Sequence, residues 1–287
     1  MNIDIVPLSP FIAAEVRGLD LSTDLDNSIL RRLHDVWSEN YVLVFRQQTL
    51  SDEQLVHFSS HFGELDASPI GEAVHPKSSV HIPNLPEVTV VSNIFEAGVA
   101  IGVLGADEAE WHTDMSYNLE PPSASILYAL EVPPHGGDTS FLNMYEAYKA
   151  LPTDLRNKVE RFTAKHDASV NSTGRRRKGF QPVTDVSQAP GARHPMLRTH
   201  PVTGRKALYL GRRLNACIVD LPVEESEHTL DALWYEIRQA GYTYTHQWKV
   251  GDLLLWDNRC TMHRRDAFDP TARRLMHRTQ IKGDKPV

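Results

Sequence analysis

Apolar residues recur at helical spacing over 24–40, where Ile29, Leu30, Leu33, Val36 and Trp37 share one side, and the chain then runs into Tyr41-Val42-Leu43-Val44-Phe45. The first pattern predicts a helix and the second a buried strand. Ser51-Asp52-Glu53-Gln54 is a capping-box signature and predicts a second helix through His61. Residues 1–20 read as a short strand and turn. Residues 66–86 hold five prolines or glycines without periodicity and read as a long loop of the kind that often carries function. A short strand is predicted at 88–92, loop over 98–110, and a strand over 124–132 after the Pro121-Pro122 break. A turn at 133–137 leads to a strand at 138–142, with helices at 143–150 and 153–165. Turn formers and the run Arg175-Arg176-Arg177-Lys178 mark 171–190 as a loop. Strands are predicted at 206–210, 242–248, 252–256 and 274–281, with an amphipathic helix near 223–240. No internal repeat or low-complexity linker interrupts the pattern. The expectation is one α+β domain over 1–287, β-rich, with helices packed outside.

Composition narrows the class. The 287 residues are 41% hydrophobic, enough for a large core, and no apolar run of 18 residues exists, so no membrane span is expected. Met1–Ile5 lack the basic and apolar regions of a signal peptide. Two cysteines, Cys217 and Cys260, make no disulfide framework, and a cytoplasmic location is the simplest expectation. The net charge of −7 argues against nucleic acid as a partner.

Candidate chemistry begins at Trp111-His112-Thr113-Asp114. In extended chain, residues two apart project to one face, so an imidazole and a carboxylate would point at one spot. Such a pair begins a facial triad, in which two histidines and one carboxylate bind Fe(II) and leave open positions. The third ligand must then be a histidine supplied by the fold. Taken alone, His-x-Asp is more readily a surface or capping pair than a metal site. Further on, Gly136-Gly137-Asp138-Thr139 enters a strand, and Leu253-Leu254-Leu255-Trp256-Asp257-Asn258-Arg259 leads to His263, then to Arg274 and Arg278. This places a second histidine at the end of one predicted strand and guanidiniums on the next. A guanidinium takes a carboxylate through two parallel hydrogen bonds, which suits an acidic co-substrate.

The ordered set resembles the TauD/TfdA family of Fe(II)/2-oxoglutarate oxygenases over nearly the whole chain. The resemblance is carried by Val42-Leu43-Val44-Phe45-Arg46, Phe62-Gly63-Glu64-Leu65, Trp111-His112-Thr113-Asp114, Gly136-Gly137-Asp138-Thr139, Arg198-Thr199-His200-Pro201, Trp256-Asp257-Asn258-Arg259 and Arg273-Arg274. It implies a double-stranded β-helix, a jelly-roll-like core with surrounding helices. It also implies iron held by His112, Asp114 and His263, with 2-oxoglutarate and O2 as co-substrates. Arg274 would pair with the distal carboxylate of 2-oxoglutarate and Thr139 would donate to it.

The implied reaction is hydroxylation of a small organic anion: a sulfonate, sulfate ester, carboxylate or phenoxy acid. Succinate and CO2 are released, often with cleavage of a carbon–heteroatom bond. Asp114 stands where halogenases of similar fold need an open halide site, so hydroxylation is the expected outcome. Arg278 matches the family's arginine for the substrate anion, a structural ion pair being its other reading. Ser68 stands where taurine enzymes of the family place a substrate-binding histidine, and a substrate-packing phenylalanine is replaced near Ser172, so taurine is not the expected substrate. His200 reads as structural support, Trp111 and Trp256 as packing around the metal, and 175–178 as a solvated face that also draws an anion to the mouth. A homo-oligomer is expected. A metal-assisted hydrolase and a non-catalytic jelly-roll metal protein remain open at this point.

Overall fold

The computed structural model describes residues 3–67 and 81–287. Ser68, and with it most of the loop expected over 66–86, lies outside the described residues. The first helix, Asn27–Asn40, starts where the Asp26 carboxylate accepts from the backbone amides of Ser28 and Ile29, satisfying two donors that the helix leaves free. It stops at Tyr41, whose φ of 66° turns the chain directly into the strand Val42–Phe45. The second helix, Asp52–Ser60, carries the capping box read from sequence: the Ser51 hydroxyl accepts from Gln54 N while the Gln54 side chain accepts from Ser51 N.

Among the described residues, the strands form one nine-stranded sheet, a four-stranded sheet, a three-stranded sheet and two pairs. In the large sheet the spatial order interleaves distant parts of the chain. Val42–Phe45 pairs with Leu253–Asp257, which pairs with Ala124–Glu131, then Leu275–Ile281, then Leu85–Ser92. The four-stranded sheet runs Thr243–His246, Thr139–Asn143, Thr261–Arg265, Ala109–His112. Side chains alternate between two cores because successive strand residues face opposite ways. Leu43, Phe45, Ile126, Tyr128, Leu253 and Leu255 pack toward the first two helices. Val42, Val44, Leu127, Leu254, Trp256 and Met276 pack the other way, against Phe141 and Met262 of the smaller sheet. Both faces of Leu253–Asp257 are therefore covered, which accounts for its unbroken apolar run.

Several expectations are corrected. The helix predicted over 153–165 ends at Val159, and Thr163–Lys165 is a strand between Arg193–Pro195 and Cys217–Ile218. Pairing with distant strands there overrides the local helical pattern. The segment 98–110, expected as loop, contains short strands at Val99–Ala100 and Val103–Leu104 and the start of Ala109–His112. His263, expected at the end of a strand, is the centre of one, Thr261–Arg265. That strand is polar and mixed in pattern because His263 and Arg265 line a cavity on one side, while on the other Met262 packs in the core and Arg264 lies at a polar rim.

Candidate metal centre

The site starts from one pairing. Ala109–His112 and Thr261–Arg265 are antiparallel neighbours, and His112 and His263 are register partners. Their rings lie 4.2 Å apart, centroid to centroid. Asp114 follows in the turn after His112, so the shared direction expected from extended chain comes instead from a strand end plus a turn, with Met115 at φ 46°. Asp114 Oδ1 lies 3.8 Å from Nε2 of both His112 and His263. The three ligand atoms fall within 4.8 Å of one another, and all three residues are buried.

Each candidate ligand is held in a usable state. His112 Nδ1 donates to the Glu110 carbonyl at 2.6 Å, leaving the Nε2 lone pair free. His263 Nδ1 has no hydrogen-bond partner among the described residues. Its ring is fixed by packing against Trp256 at 5.0 Å and Phe141 at 6.1 Å. The Ser125 hydroxyl donates to Asp114 Oδ2 at 2.7 Å. Ser125 Oγ in turn accepts from Asn258 Nδ2 at 2.9 Å and Gln280 Nε2 at 3.3 Å, which directs its proton to Asp114. Oδ1 is thereby left as the free ligand atom.

The electrostatics agree. Burial pushes both imidazoles toward the neutral form; for His112 the neighbouring His263 adds to this, while Asp114 opposes it at both. Burial also pushes the Asp114 carboxyl up, but His263, Arg278, His112 and Ser125 outweigh it and hold it at about 2. Two neutral imidazoles and one ionised carboxylate are the forms that bind a divalent metal.

The triad opens on a cavity of about 790 Å³ between the two sheets. Arg274 and Arg278 both line it, as the even spacing along one strand predicts, although Arg274 stands just ahead of the strand Leu275–Ile281. Arg274 is buried, its Nε has no partner and it forms no ion pair among the described residues. Burial, with Arg265 nearby, pushes its pKa down to about 9. Thr139 lines the same cavity, and its Oγ1 accepts from Trp248 Nε1 at 2.9 Å, so the hydroxyl proton remains free to donate. Arg278 Nη1 lies 3.6 Å from Asp114 Oδ1, a charge contact longer than a good hydrogen bond.

These features fit a ferrous ion beside a dicarboxylate. The profile described as "Taurine catabolism dioxygenase TauD, TfdA family" matches residues 4–280. The chain belongs to the TauD/TfdA family. As a member it is an Fe(II)- and 2-oxoglutarate-dependent dioxygenase that uses O2, which sets aside the hydrolase and the non-catalytic metal protein. It is 34% identical over 294 residues to the alpha-ketoglutarate-dependent 2,4-dichlorophenoxyacetate dioxygenase of Cupriavidus pinatubonensis, covering 100% of both chains. It is 29% identical to an alpha-ketoglutarate-dependent sulfate ester dioxygenase of Pseudomonas putida, covering 100% of this chain and 92% of that one. The crystal structure of AAD-2 in complex with Mn(II) and N-oxalylglycine superimposes with a TM-score of 0.79 at 31% identity, covering 100% and 99% of the two chains.

Other parts of the TauD/TfdA pattern have structural work. His200 donates from Nε2 to Asp257 Oδ2 at 3.0 Å and accepts at Nδ1 from Val202 N and Thr203 N, so neither nitrogen is open to a metal. Asp257 also takes two bonds from Arg259, at 2.8 and 2.6 Å. Trp256 packs on His263 as expected, but Trp111 faces Arg264 at 5.5 Å, away from the cavity. The basic run lines the cavity, where Arg175 pairs with Asp107.

Sequence reasoning missed Ser125, Trp248, Arg265 and Arg212. None sits in a motif: Ser125 and Arg265 are brought in by strand register, Arg212 by an isolated bridge to His112, and Trp248 by the segment after the strand Thr243–His246. Arg265 is buried against the carbonyls of Gly105, Leu104 and Asp107. The 211–212 segment seats the ligand turn: Thr113 N donates to Gly211 O at 3.0 Å, and Arg212 bridges His112. Gly211 has φ 65°, and a Cβ there would meet His166 Nδ1 at 2.0 Å. Gly211→Ala is therefore expected to lose roughly 2 kcal/mol or more from the left-handed backbone and the clash. Urea unfolding and Mn(II) titration of the same variant check it; wild-type stability with unchanged metal affinity contradicts the assignment of this contact.

Proposed function

We propose that His112, Asp114 and His263 hold the iron, that Arg274 with Thr139 holds the distal carboxylate of 2-oxoglutarate, and that the substrate is a small organic anion oriented by Arg278. The observation that carries the reading is the convergence of a neutral–neutral–anionic ligand set and an unpaired buried guanidinium on one cavity. We also propose that the two facing sheets form a double-stranded β-helix and that 1–287 is a single catalytic domain. Its support is the large sheet itself, which draws strands from both ends and the middle of the chain.

When bound, iron and 2-oxoglutarate supply the oxidising chemistry: the keto acid is decarboxylated with O2 to succinate and CO2, and one oxygen atom passes to a substrate carbon. This chain's residues set the conditions. Asp114 stays ionised and presents one oxygen, because Ser125 occupies the other. Arg274 presents a fixed cation in a site from which water is largely displaced, where a charge-assisted bond is strongest. Val91, Val103, Leu127, Met115 and Trp256 give the cavity apolar walls that position a hydrocarbon or aryl body. Arg278 stands beside Asp114 and so orients an acid group close to the reacting carbon. Two relatives act, by name, on a phenoxyacetate and on sulfate esters, and both classes pair an anion with a carbon bearing oxygen. Hydroxylation at such a carbon gives a product that collapses to a carbonyl compound and the leaving group.

Three outcomes are expected. His112→Ala and His263→Ala should each abolish turnover and weaken ferrous binding in a folded protein; full iron stoichiometry with activity in both would contradict the ligand set. Arg274→Ala removes a charge-assisted contact of about 1.5–3 kcal/mol, or roughly ten- to a hundredfold in 2-oxoglutarate affinity. Thr139→Val should cost less, and titration of 2-oxoglutarate reads both. Arg278→Ala should lose substrate-stimulated succinate formation while keeping most 2-oxoglutarate affinity, with Arg278→Lys intermediate. A neutral substrate turned over equally by parent and both variants would make Arg278 structural. The screen uses sulfonates, sulfate esters, carboxylates and phenoxy acids, and an anaerobic control should give no product.

A further inference from the structure

The cavity holds more positive charge than the reading above uses. Asp114 is the one carboxylate among its described lining residues. Arg274 and Arg278 are assigned, Arg175 is paired with Asp107, and Arg265 is met by backbone carbonyls. Arg176 and Lys178 also line it but are exposed to solvent, which leaves Arg177 and Arg212. Arg212 Nη1 donates to the Val170 carbonyl at 2.6 Å, but its Nε is buried without a partner, and among the described residues it forms no ion pair. Arg177 lies over the Tyr117 ring, 4.0 Å from its centroid, and likewise forms no ion pair there. Burial pushes the Arg212 pKa down to about 10; the charge of Arg177 adds to this, while Tyr117, Asp167 and Asp114 oppose it without reversing it. Two like charges thus sit together in a partly desolvated place with their polar ends on the cavity. They do not share a wall with Arg278: Arg278 belongs to the large sheet, whereas Arg212 is bridged to the edge strand of the small one.

We propose that Arg177 and Arg212 form a second anion-holding position, so that preferred substrates carry two acidic groups, one at Arg278 and one at this pair. The inference rests on the organic-anion reading given above and adds the number and placement of the acid groups. A carboxylate or sulfate accepting from Arg212 and facing Arg177 relieves the repulsion between them and satisfies the buried Nε. The Tyr117 ring holds the Arg177 guanidinium by its π face, which fixes it at little cost in side-chain freedom.

The test compares phenoxyacetate with 3- and 4-carboxyphenoxyacetate. Calorimetric titration into the full chain loaded with Mn(II) and 2-oxoglutarate reads binding, and the Fe(II)-loaded enzyme reads succinate. At least one dicarboxylate should bind about tenfold or more tightly than phenoxyacetate. That ratio, measured within each variant, should fall about tenfold in Arg212→Gln and in Arg177→Gln and be partly restored in Arg212→Lys. Equal binding of mono- and dicarboxylates, or a ratio unchanged in both glutamine variants, overturns the second position while succinate formation leaves the organic-anion reading intact. Tight, Arg212-dependent binding of a dicarboxylate without succinate from any of the acids supports the second position and counts against the reading of substrate and reaction given above.

Discussion

The structure depends on the antiparallel pairing of Ala109–His112 with Thr261–Arg265. Register partnership sets the two imidazoles side by side before any side-chain preference acts. A slip of one residue would send His263 to the opposite face of its strand and replace it with Met262 or Arg264. The register is enforced from both sides: Phe141 pairs with His263 on the neighbouring strand, and the 211–212 segment bonds to the turn beyond His112. Asp114 then needs only a turn to join them, and the Ser125 hydroxyl fixes which oxygen it offers.

Around that pairing the cavity is electrostatically lopsided. A chain with a net charge of −7 gathers guanidiniums on more than one wall of a single cavity and leaves one carboxylate among its described lining residues. Buried charge without a counterion opposes folding. Part of the cost is offset by carbonyl acceptors, as at Arg265, and what is left shows in the lowered pKa of Arg274, which stays charged at neutral pH. Anionic ligands that bind only the folded chain complete the neutralisation, so occupancy and stability are linked quantities.

The residues that meet at the candidate site were legible in sequence, His112 and Asp114 as a pair, His263 through family likeness and both arginines, because each lies in a recognisable run of residues. Sequence also showed the helix starts, where Asp26 and the Ser51–Gln54 box act locally. What it hid was non-local. The strand around His263 has no alternation of its own, since one face meets a polar cavity. The strand at Thr163–Lys165 exists only because two remote strands accept it. Ser125 reads as an ordinary strand residue until Asn258 and Gln280 arrive beside it from the far end of the chain. Arg212 follows no motif, and only the bridge to His112 brings it to the cavity.

The interleaved strand order has a kinetic side. His112 and His263 are separated by more than half the chain, and the middle of the large sheet alternates strands from near the N-terminus, the centre and the C-terminus. Such contacts close large loops before they return any stabilisation, which slows the search for the native pairing. The C-terminal strands must therefore be synthesised before the central ones find their partners. Until then both edges of Ala124–Glu131 wait unpaired, a period in which association with other chains competes with folding.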